Sequence, residues 1–292
     1  MPGREIRLVV TDLDNTLYDW LGFYVPSYLA MAEEIHRISG VDLLEIKRSF
    51  RKVHQAHGTT EYAFAIQELD ALREVDAGLS VEERLRKYDS AIHAFRSMRK
   101  KTLRLYPGVR ETLERLREVG IAVVAHSDSM MSYVSRRLRQ LDVDALLAAI
   151  CAPRDHGLPP ALDPRLVRRA SPEAVESRTT LLEFAAGLRK PDPATLEPVF
   201  QMLQIPRDRA LYVGDSLSRD ILLARRSGLT DVWARYGRHP RNGLYEELLE
   251  VTYWTEAEVA EEERLRMHIE GLSPSHTIDS FAELVGICGL PS

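Results

Sequence analysis

The stretch of sequence that decides the fold is residues 6–16, which read IRLVVTDLDNT. A short run rich in β-branched apolar residues, 6–10, is followed almost at once by two carboxylates, Asp12 and Asp14. Such a run predicts a buried β-strand, and the polar residues after it would lie at the carboxyl end of that strand. Open α/β sheets bind their ligands at that edge. We therefore expect the functional site to be built around Asp12 and Asp14.

Three further apolar runs extend this pattern along the chain. Residues 121–125, 210–213 and 231–234 are each predicted to be strands, and amphipathic helical stretches lie between them. Repeated strand-then-helix units imply a parallel sheet with right-handed crossovers. The sequence therefore predicts an α/β protein.

Residues 21–104 interrupt the alternation of strands and helices. They contain no convincing strand but several amphipathic helical stretches, at 24–38, 43–54, 61–75 and 81–98. We expect this segment to form a smaller, all-helical domain inserted after the first strand. Residues 1–20 and 105–292 would then form the larger catalytic core.

Two parts of the predicted core fall outside the strand and helix pattern. The segment from about 153 to 187 has weak periodicity and is rich in Pro, Arg and Asp, which indicates a long insertion. After Tyr236 the pattern weakens through residues 238–249 into a C-terminal extension, in which an acidic helix is expected near 256–269 and a short helix at 279–285. The sequence assigns neither segment a role.

The overall composition limits the class of protein. The 292 residues carry a formal net charge of -5, with a pI near 6.0, so no global positive field would draw the chain to nucleic acid. The two cysteines are too few for a disulfide framework and fit a reducing compartment. No apolar run approaches the roughly 20 residues that a membrane span needs. We expect a cytoplasmic protein without a nucleic-acid or membrane partner, and its oligomeric state stays open.

The spacing of Asp12 and Asp14 suits phosphoryl transfer. Asp12 could attack phosphorus to form an aspartyl-phosphate, while Asp14 protonates the leaving alkoxide and then deprotonates the hydrolytic water. Thr16, at the end of the same loop, is a candidate substrate contact. The structural alternative is that both carboxylates are turn and N-cap residues that end a strand.

A second pair of carboxylates predicts a metal site. Asp215 follows the strand predicted at 210–213, and Asp220 lies five positions later, so both could offer hard oxygen ligands or support them beside Asp12. Mg²⁺ fits such a cluster because it offsets the repulsion between carboxylates and an anionic phosphate. The alternative is that Asp215 caps a helix and Asp220 is a solvated acid in its first turn.

The remaining candidates would bind the substrate. Ser127 ends the strand predicted at 121–125 and can donate a hydrogen bond to a phosphate oxygen, and Asp128 follows it directly. Lys190 could screen the Asp12 carboxylate from the phosphate. Residues 12–16 form what we call the nucleophile loop, after the role expected of Asp12. Tyr18 and Trp20 follow this loop and could line the substrate pocket, although packing is the usual explanation for such aromatic residues.

The order and setting of these residues resemble the four motifs of the haloacid dehalogenase superfamily. The motifs match at 12–16, at Ser127, at 190–193 and at 214–220, within roughly residues 6–234. The resemblance implies a Rossmann-like core under a helical cap of the C1 type, similar to that of phosphoglycolate phosphatase-like members. Two features depart from the pattern: Asp128 stands where many relatives have Asn, and Ser127 and Lys190 are 63 positions apart (190 − 127).

The resemblance also implies roles for the motif residues. Asp12 would be the nucleophile and Asp14 the acid and base. Mg²⁺ would be held by Asp12, the main-chain carbonyl of Asp14 and Asp215, with Asp220 supporting the metal site. Ser127 and Lys190 would bind the phosphate.

The presence of Asp14 separates the branches of this superfamily. Dehalogenases need no leaving-group acid of this kind and lack the second carboxylate, whereas phosphatases and phosphomutases have it. We therefore expect a Mg²⁺-dependent phosphatase that hydrolyses a small phosphorylated metabolite. A phosphomutase, a phosphonatase, and a non-catalytic binding protein on the same scaffold stay open as alternatives.

Overall fold

A computed structural model describes residues 5–155, 178–185, 187–237, 243–257, 260, 264 and 273–291. The strands in them are β1 (Leu8–Thr11), β2 (Ala122–His126), β3 (Ala149–Pro153), β4 (Thr180–Phe184), β5 (Ala210–Gly214), β6 (Thr230–Ala234) and β7 (His276–Ile278). They form one seven-stranded sheet in the order β4-β3-β2-β1-β5-β6-β7. Every neighbouring pair is parallel. The predicted α/β fold with a parallel sheet is confirmed.

Strand β1 lies at the centre of the sheet, and all four of its residues are buried. Alternate side chains point to opposite faces, so Val9 packs into one apolar cluster while Leu8 and Val10 pack into the other. A strand covered on both faces needs apolar residues at every position. This explains why the sequence of β1 is a continuous apolar run and could be recognised without the structure.

The helices in the described residues fall into two groups. Those that follow β1 directly are α1 (Trp20–Ser39), α2 (Leu43–His57), α3 (Ala65–Glu68), α4 (Val81–Lys87) and α5 (Asp89–Thr102). Those that lie between or after the later strands are α6 (Val109–Glu118), α7 (Met131–Gln140), α8 (Glu197–Leu203), α9 (Leu222–Arg226), α10 (Gly243–Val251) and α11 (Leu284–Ile287). No strand interrupts residues 20–104, as the sequence predicts for this helical segment. None of the helices in the described part of the chain combines the length and hydropathy that crossing a bilayer requires.

Helix α1 begins four residues before the predicted stretch 24–38. Asp19 caps it, because its side chain accepts a hydrogen bond from the backbone N–H of Gly22, and the helix ends at Gly40 in the left-handed conformation. The stretch predicted at 43–54 is the continuous helix α2, which extends to His57, whereas the two later stretches are interrupted by turns. The stretch 61–75 contains only α3 and a 3₁₀ turn at Asp70–Leu72, and 81–98 is divided at Tyr88 into α4 and α5.

Three strands, β3, β4 and β7, were not predicted, and β4 corrects the insertion expected at about 153–187. β4 lies inside that segment and pairs with β3 at the edge of the sheet. Only Phe184 of its five residues is buried, so β4 lacks the apolar run that marks the central strands. β7, at the opposite edge, is only three residues long. Residues 156–177 of the expected insertion lie outside the described residues.

The C-terminal extension contacts the helical segment after β1, which the predicted division of the chain does not anticipate. Helix α10 packs against α1 and α2. Lys47 Nζ of α2 lies 2.6 Å from Glu247 Oε2 and 3.1 Å from Glu250 Oε2. The ring Nδ1 of buried His54 lies 2.6 Å from the carbonyl oxygen of Val251. Most of the helix predicted at 256–269 lies outside the described residues, and the one predicted at 279–285 is a 3₁₀ turn, Phe281–Glu283, followed by α11.

Candidate active site

The carboxyl ends of β1, β2 and β5 lie at one edge of the sheet, because neighbouring strands run in the same direction. Asp12 directly follows β1, Ser127 follows β2 and Asp215 follows β5. All three line one cavity of about 610 Å³. Short apolar strands that end in polar residues thus gather these side chains around a common space.

Asp12 is buried, and its two carboxylate oxygens have different partners. Thr16 Oγ1 donates a hydrogen bond to Oδ2 at 3.0 Å. Oδ1 forms an ion pair with Lys190 Nζ. A carboxylate held at both oxygens has a fixed rotamer, so Asp12 faces the cavity in one orientation.

Lys190 is held in turn by Asp220, whose side chain is 2% exposed. Lys190 Nζ lies 2.9 Å from Asp220 Oδ1. The same oxygen accepts a hydrogen bond from Tyr212 Oη at 3.3 Å, and Asp220 Oδ2 accepts one from the backbone N–H of Ser216 at 3.0 Å. Asp220 therefore fixes the lysine beside Asp12. It lies in the π-helical turn Leu217–Ile221 that precedes α9.

Three carboxylates come together at this point. Oxygens of Asp12, Asp215 and Asp220 all lie within 4.8 Å of one another. Hard oxygen ligands at such spacing fit a divalent cation such as Mg²⁺. The Asp14 side chain is not part of this group, so only its main-chain carbonyl stays a predicted ligand.

The electrostatics of the group favour a bound cation. Burial raises the pKa of Asp12 to about 7. The attraction of Lys190 lowers this pKa, and the repulsion of Asp220 raises it. Burial and the nearby Asp12 also raise the pKa of Asp215 well above its ordinary value. Burial opposes the charge of Lys190, but Asp12 and Asp220 hold its pKa well above its usual range. Three carboxylates share one ammonium group, and a divalent cation would offset the remaining negative charge.

The side chain of Asp14 points to a different set of partners. Arg137 Nη1 of α7 donates to Asp14 Oδ1 at 2.6 Å, and Ser129 Oγ donates to Oδ2 at 3.0 Å. The other arm of the guanidinium, Nη2, donates to Oε2 of Glu61 at 2.5 Å. Glu61 lies in residues 58–64, which connect α2 to α3. An ion-pair network therefore joins the helical segment to the loop after β1.

Ser127 and Asp128 both line the cavity, in different settings. Ser127 is buried, and its Oγ accepts a hydrogen bond from the backbone N–H of Ser129 at 3.0 Å, which leaves its proton available for another acceptor. Asp128 Oδ1 accepts from the backbone N–H of Lys190 at 3.1 Å. Asp128 thus holds the loop that carries Lys190, and Arg219 Nη1 lies 3.9 Å from its Oδ2.

The three remaining predicted substrate contacts, Thr16, Tyr18 and Trp20, differ in whether they line the cavity. Thr16 is fully buried, and its hydroxyl holds Asp12 rather than lining the cavity. Tyr18 is also fully buried, and its hydroxyl accepts from Arg137 Nη1 at 3.3 Å. Both belong to the support of the nucleophile loop, which corrects their predicted place. Trp20 does line the cavity, and its Nε1 has no hydrogen-bond partner among the described residues.

The loops after β1 and β5 are held from the opposite side by residues at the end of β6 and just after it. Tyr236 Oη donates to the carbonyl oxygen of Thr16 at 2.6 Å, and Trp233 Nε1 donates to that of Asp215 at 2.9 Å. Gly237 packs against Asn15, whose φ is 62°. These contacts fix the height of these loops above the sheet.

Cavity walls also come from parts of the chain other than the sheet edge. The helical segment contributes Glu61 and its neighbours in the connection after α2, and Arg189 Nη2 donates to the carbonyl oxygen of Gly58 there at 2.8 Å. The C-terminal extension contributes Tyr253 and Trp254. Arg189 lies over the Tyr253 ring, 5.3 Å from its centroid.

A family model described as haloacid dehalogenase-like hydrolase matches residues 6–228 of the chain. The chain belongs to this family. A second model, of HAD-hydrolase-like proteins, matches residues 187–284. The predicted membership of the haloacid dehalogenase superfamily, and with it the prediction of a hydrolase, is confirmed.

Individual relatives of this haloacid dehalogenase-like hydrolase carry phosphatase names. It is 26% identical over 255 residues to a phosphoglycolate phosphatase of Pseudomonas fluorescens (strain Pf0-1), a match that spans 84% of this chain and 75% of the relative. It is 21% identical over 240 residues to a glyceraldehyde 3-phosphate phosphatase of Pyrococcus furiosus, spanning 81% of this chain and 83% of the relative. Among solved structures it resembles a 2-haloacid dehalogenase from Pseudomonas syringae pv. Tomato DC3000, with a TM-score of 0.59 and 18% identity over 97% of this chain and 98% of the other. That last likeness supports the fold alone.

Sequence reasoning missed two charged residues of this hydrolase's site, Arg137 and Glu61. The sequence does indicate that Arg137 is buried, because it lies at the border of the apolar stripe that Met131, Val134 and Leu138 form on α7. An arginine on a buried helix face needs a partner, which the sequence does not identify. Glu61 had no signal, since it stands in a polar connection between two helices.

Proposed function

We propose that this chain is a Mg²⁺-dependent phosphatase that hydrolyses a small phosphorylated metabolite through an aspartyl-phosphate on Asp12. The observation that carries the proposal is the setting of Asp12, a buried carboxylate held by Thr16 and Lys190 at the mouth of a carboxylate cluster. The phosphatase names of the relatives support the same reaction.

The reaction starts with attack of an Asp12 carboxylate oxygen on phosphorus, which forms an acyl phosphate as the ester P–O bond breaks. The leaving alkoxide takes a proton from the Asp14 carboxyl group. A water molecule then attacks the phosphorus of the acyl phosphate, gives its proton to Asp14, and releases Asp12 and inorganic phosphate. Lys190 and the Ser127 hydroxyl bind the phosphoryl oxygens during both steps.

Asp12, Asp215 and the main-chain carbonyl of Asp14 would hold the Mg²⁺ ion, with Asp220 supporting them. When bound, the ion offsets the charge that these carboxylates and the phosphoryl group bring together. Asp220 keeps Lys190 in place through its 2.9 Å ion pair, so the lysine charge stays beside the nucleophile.

The substrate must fit between the sheet edge and the walls that cover it. A cavity of about 610 Å³ holds a small metabolite. Arg189 and Arg219 line it beyond the phosphate site, which favours a substrate with a second polar or anionic group. Phosphoglycolate and glyceraldehyde 3-phosphate, the substrates in the names of the relatives, meet that description.

We propose further that residues 21–104 act as a cap that opens for the substrate and closes over it. The contacts of the 58–64 connection with Arg137 and Arg189 support this role, because they join the helical segment to residues around the cavity. A cytoplasmic location fits the two cysteines, Cys151 and Cys288, both buried and unpaired.

The test is a panel of phosphorylated metabolites with Mg²⁺, followed by release of inorganic phosphate. We expect release from small monoesters, and borohydride added during turnover should reduce the acyl phosphate and convert Asp12 to homoserine. A phosphomutase would instead isomerise a sugar phosphate without releasing phosphate. Turnover without any modification of Asp12 by borohydride would contradict the covalent mechanism.

A further inference from the structure

Asp14 is the proposed acid and base, and its carboxylate is held at both oxygens by residues that the mechanism has not used. We call Arg137, Glu61 and Ser129 the Asp14 clamp. Arg137 Nη1 lies 2.6 Å from Oδ1 of Asp14, and Ser129 Oγ lies 3.0 Å from Oδ2. The carboxylate nevertheless lines the cavity, and 24% of the Asp14 side chain is exposed. The clamp therefore fixes the rotamer and leaves one edge of the group open to a substrate.

Arg137 occupies a buried position on α7, where an apolar residue would pack without the cost of burying a charge. Its side chain is 2% exposed and lies on the face that also carries Val134 and Leu138. Removing a charged guanidinium from water is energetically costly, and an ion pair often offsets no more than that cost. Packing alone therefore does not explain why this helix carries an arginine here. The position of its partner, Asp14, does.

Glu61 completes the arrangement from the cap side. Its carboxylate lies 2.5 Å from Arg137 Nη2, and Ser129 Oγ lies 3.3 Å from the same Oε2 atom. The two carboxylates thus take the two arms of one guanidinium, which fixes the plane of the group. The rings of Tyr18 and Phe23 pack near its central carbon, at 5.9 and 5.6 Å from their centroids. With both arms and the surroundings occupied, Arg137 has one orientation available.

We propose that Arg137 is a positioning residue for proton transfer by Asp14, and that Glu61 completes this positioning when the 58–64 connection of the cap lies over the sheet edge. The inference rests on the proposed function of Asp14. Proton transfer to a leaving oxygen needs a donor within hydrogen-bond reach and correctly oriented. A displacement of about 1 Å can lower a rate by roughly 10²-fold. The clamp keeps Asp14 within that tolerance, and it makes the acid complete only when the cap is in place.

A comparison of two leaving groups distinguishes a positioning role of Arg137 from a purely structural one. The departing p-nitrophenolate is stable without a proton near neutral pH, whereas an alkoxide requires one as the P–O bond breaks. A residue that positions the acid should therefore matter for an alkyl phosphate and much less for p-nitrophenyl phosphate. A residue needed only for folding should lower the two rates equally.

The experiment compares kcat and KM of both esters in wild type, Asp14→Asn, Arg137→Gln, Arg137→Lys and Glu61→Ala. The alkyl ester is the one that wild type hydrolyses fastest in the metabolite panel. For Arg137→Gln we expect kcat to fall about 10²-fold for the alkyl ester and less than about 10-fold for p-nitrophenyl phosphate, with KM unchanged for both. Arg137→Lys should restore part of the alkyl rate, because it keeps the charge near Asp14. Arg136→Gln, at the exposed neighbouring position, is the matched control and should change neither rate.

Glu61→Ala gives the same test if Arg137→Gln does not fold. Glu61 lies on the cavity wall, so its truncation leaves the core intact, and we expect about a 10-fold loss confined to the alkyl ester. Equal losses for both esters in the folded variants would overturn the positioning role while leaving the phosphatase proposal intact. If wild type hydrolysed neither ester, both proposals would fall together.

Discussion

Asp12 and Asp14 are two residues apart, yet their side chains face different parts of the site. Asp12 joins Asp215, Asp220 and Lys190 over the sheet edge. Asp14 turns to Arg137 on α7. In the proposed mechanism, the first carboxylate is the nucleophile beside a cation site, and the second, which Arg137 holds, carries the proton. Environments that differ in this way allow two similar acids to take different roles.

The site requires a glycine at position 237, because neighbouring atoms leave no room for a Cβ atom. A Cβ atom at this position would lie 1.8 Å from the carbonyl oxygen of Asn15 and 2.8 Å from Cβ of Asp215. We predict that Gly237→Ala displaces the nucleophile loop, lowers the free energy of unfolding by about 1–3 kcal/mol and lowers kcat. Chemical denaturation and phosphatase assays check both effects.

The control for this prediction is Gly243→Ala, at the start of α10. Nothing lies within 4 Å of a Cβ built there, so stability and activity should match those of wild type. A Gly237→Ala protein with wild-type kcat would show that the contact with Asn15 does not set the position of the loop.

Most residues around Asp12 could be predicted from the sequence, because each directly follows an apolar strand or lies in the loop or turn just after one. That local signal found Asp12, Ser127 and Asp215 without the structure. Arg137 meets Asp14 through packing of α7 on the loop after β1, and Glu61 meets Arg137 through contact of the helical segment with α7. No local sequence pattern records either contact. Tertiary packing also buries Thr16 and Tyr18, which were predicted to contact the substrate.

At the scale of elements, the strands β1, β2, β5 and β6 were predictable, whereas β3 and the edge strands β4 and β7 were not. β1 and β5 are covered on both faces and have continuous apolar sequences. β4 is largely exposed, and β7 has three residues, so neither has a pattern that differs from a loop. The predicted helix ends were wrong where a cap residue such as Asp19, or a turn at Tyr88, sets the end of the helix.

The packing of α10 on α2 predicts a dependence of stability on pH. Burial lowers the pKa of His54 to about 4, although the hydrogen bond to Val251 favours its charged form. An unfolded histidine titrates near 6.5. As the pH falls from 6.5 through 4, the unfolded chain binds a proton that the folded chain does not, so stability is lost. The loss from this group is about 2 kcal/mol between pH 8 and pH 5.

Urea unfolding of wild type and His54→Gln at pH 8 and pH 5 measures this contribution. The drop in free energy of unfolding between the two pH values should be about 2 kcal/mol smaller in His54→Gln. His93→Gln removes an exposed histidine and should keep the wild-type drop. An equal drop in all three proteins would mean that His54 can be protonated in the folded state.

For the whole molecule, the site is complete only where three parts of the chain meet. The sheet edge supplies the carboxylates, the helical segment supplies Glu61, and the C-terminal extension supplies Tyr253 and Trp254. Helix α10 also contacts α2, so the extension and the proposed cap are in contact with each other. Cap and extension should therefore respond together to a ligand in the cavity.

Hydrogen exchange tests that response. With Mg²⁺ and vanadate, which imitates a transferring phosphoryl group, we predict slower exchange at the backbone amides of residues 57–64 and 251–255. The amides of α11, at the far end of the chain, serve as the internal reference and should not change. Slower exchange in 57–64 alone would contradict the coupling of the extension to the cap.

The central claim is that Asp12 attacks the phosphate with the help of a divalent cation. Its most direct test is hydrolysis of p-nitrophenyl phosphate with Mg²⁺ and with a chelator, in wild type and in Asp12→Asn. The account predicts activity in wild type that requires Mg²⁺, and a loss of at least about 10³-fold in the variant. The Asn side chain keeps the shape of Asp12 but cannot act as the nucleophile. Hydrolysis that survives in a folded Asp12→Asn protein would contradict the mechanism.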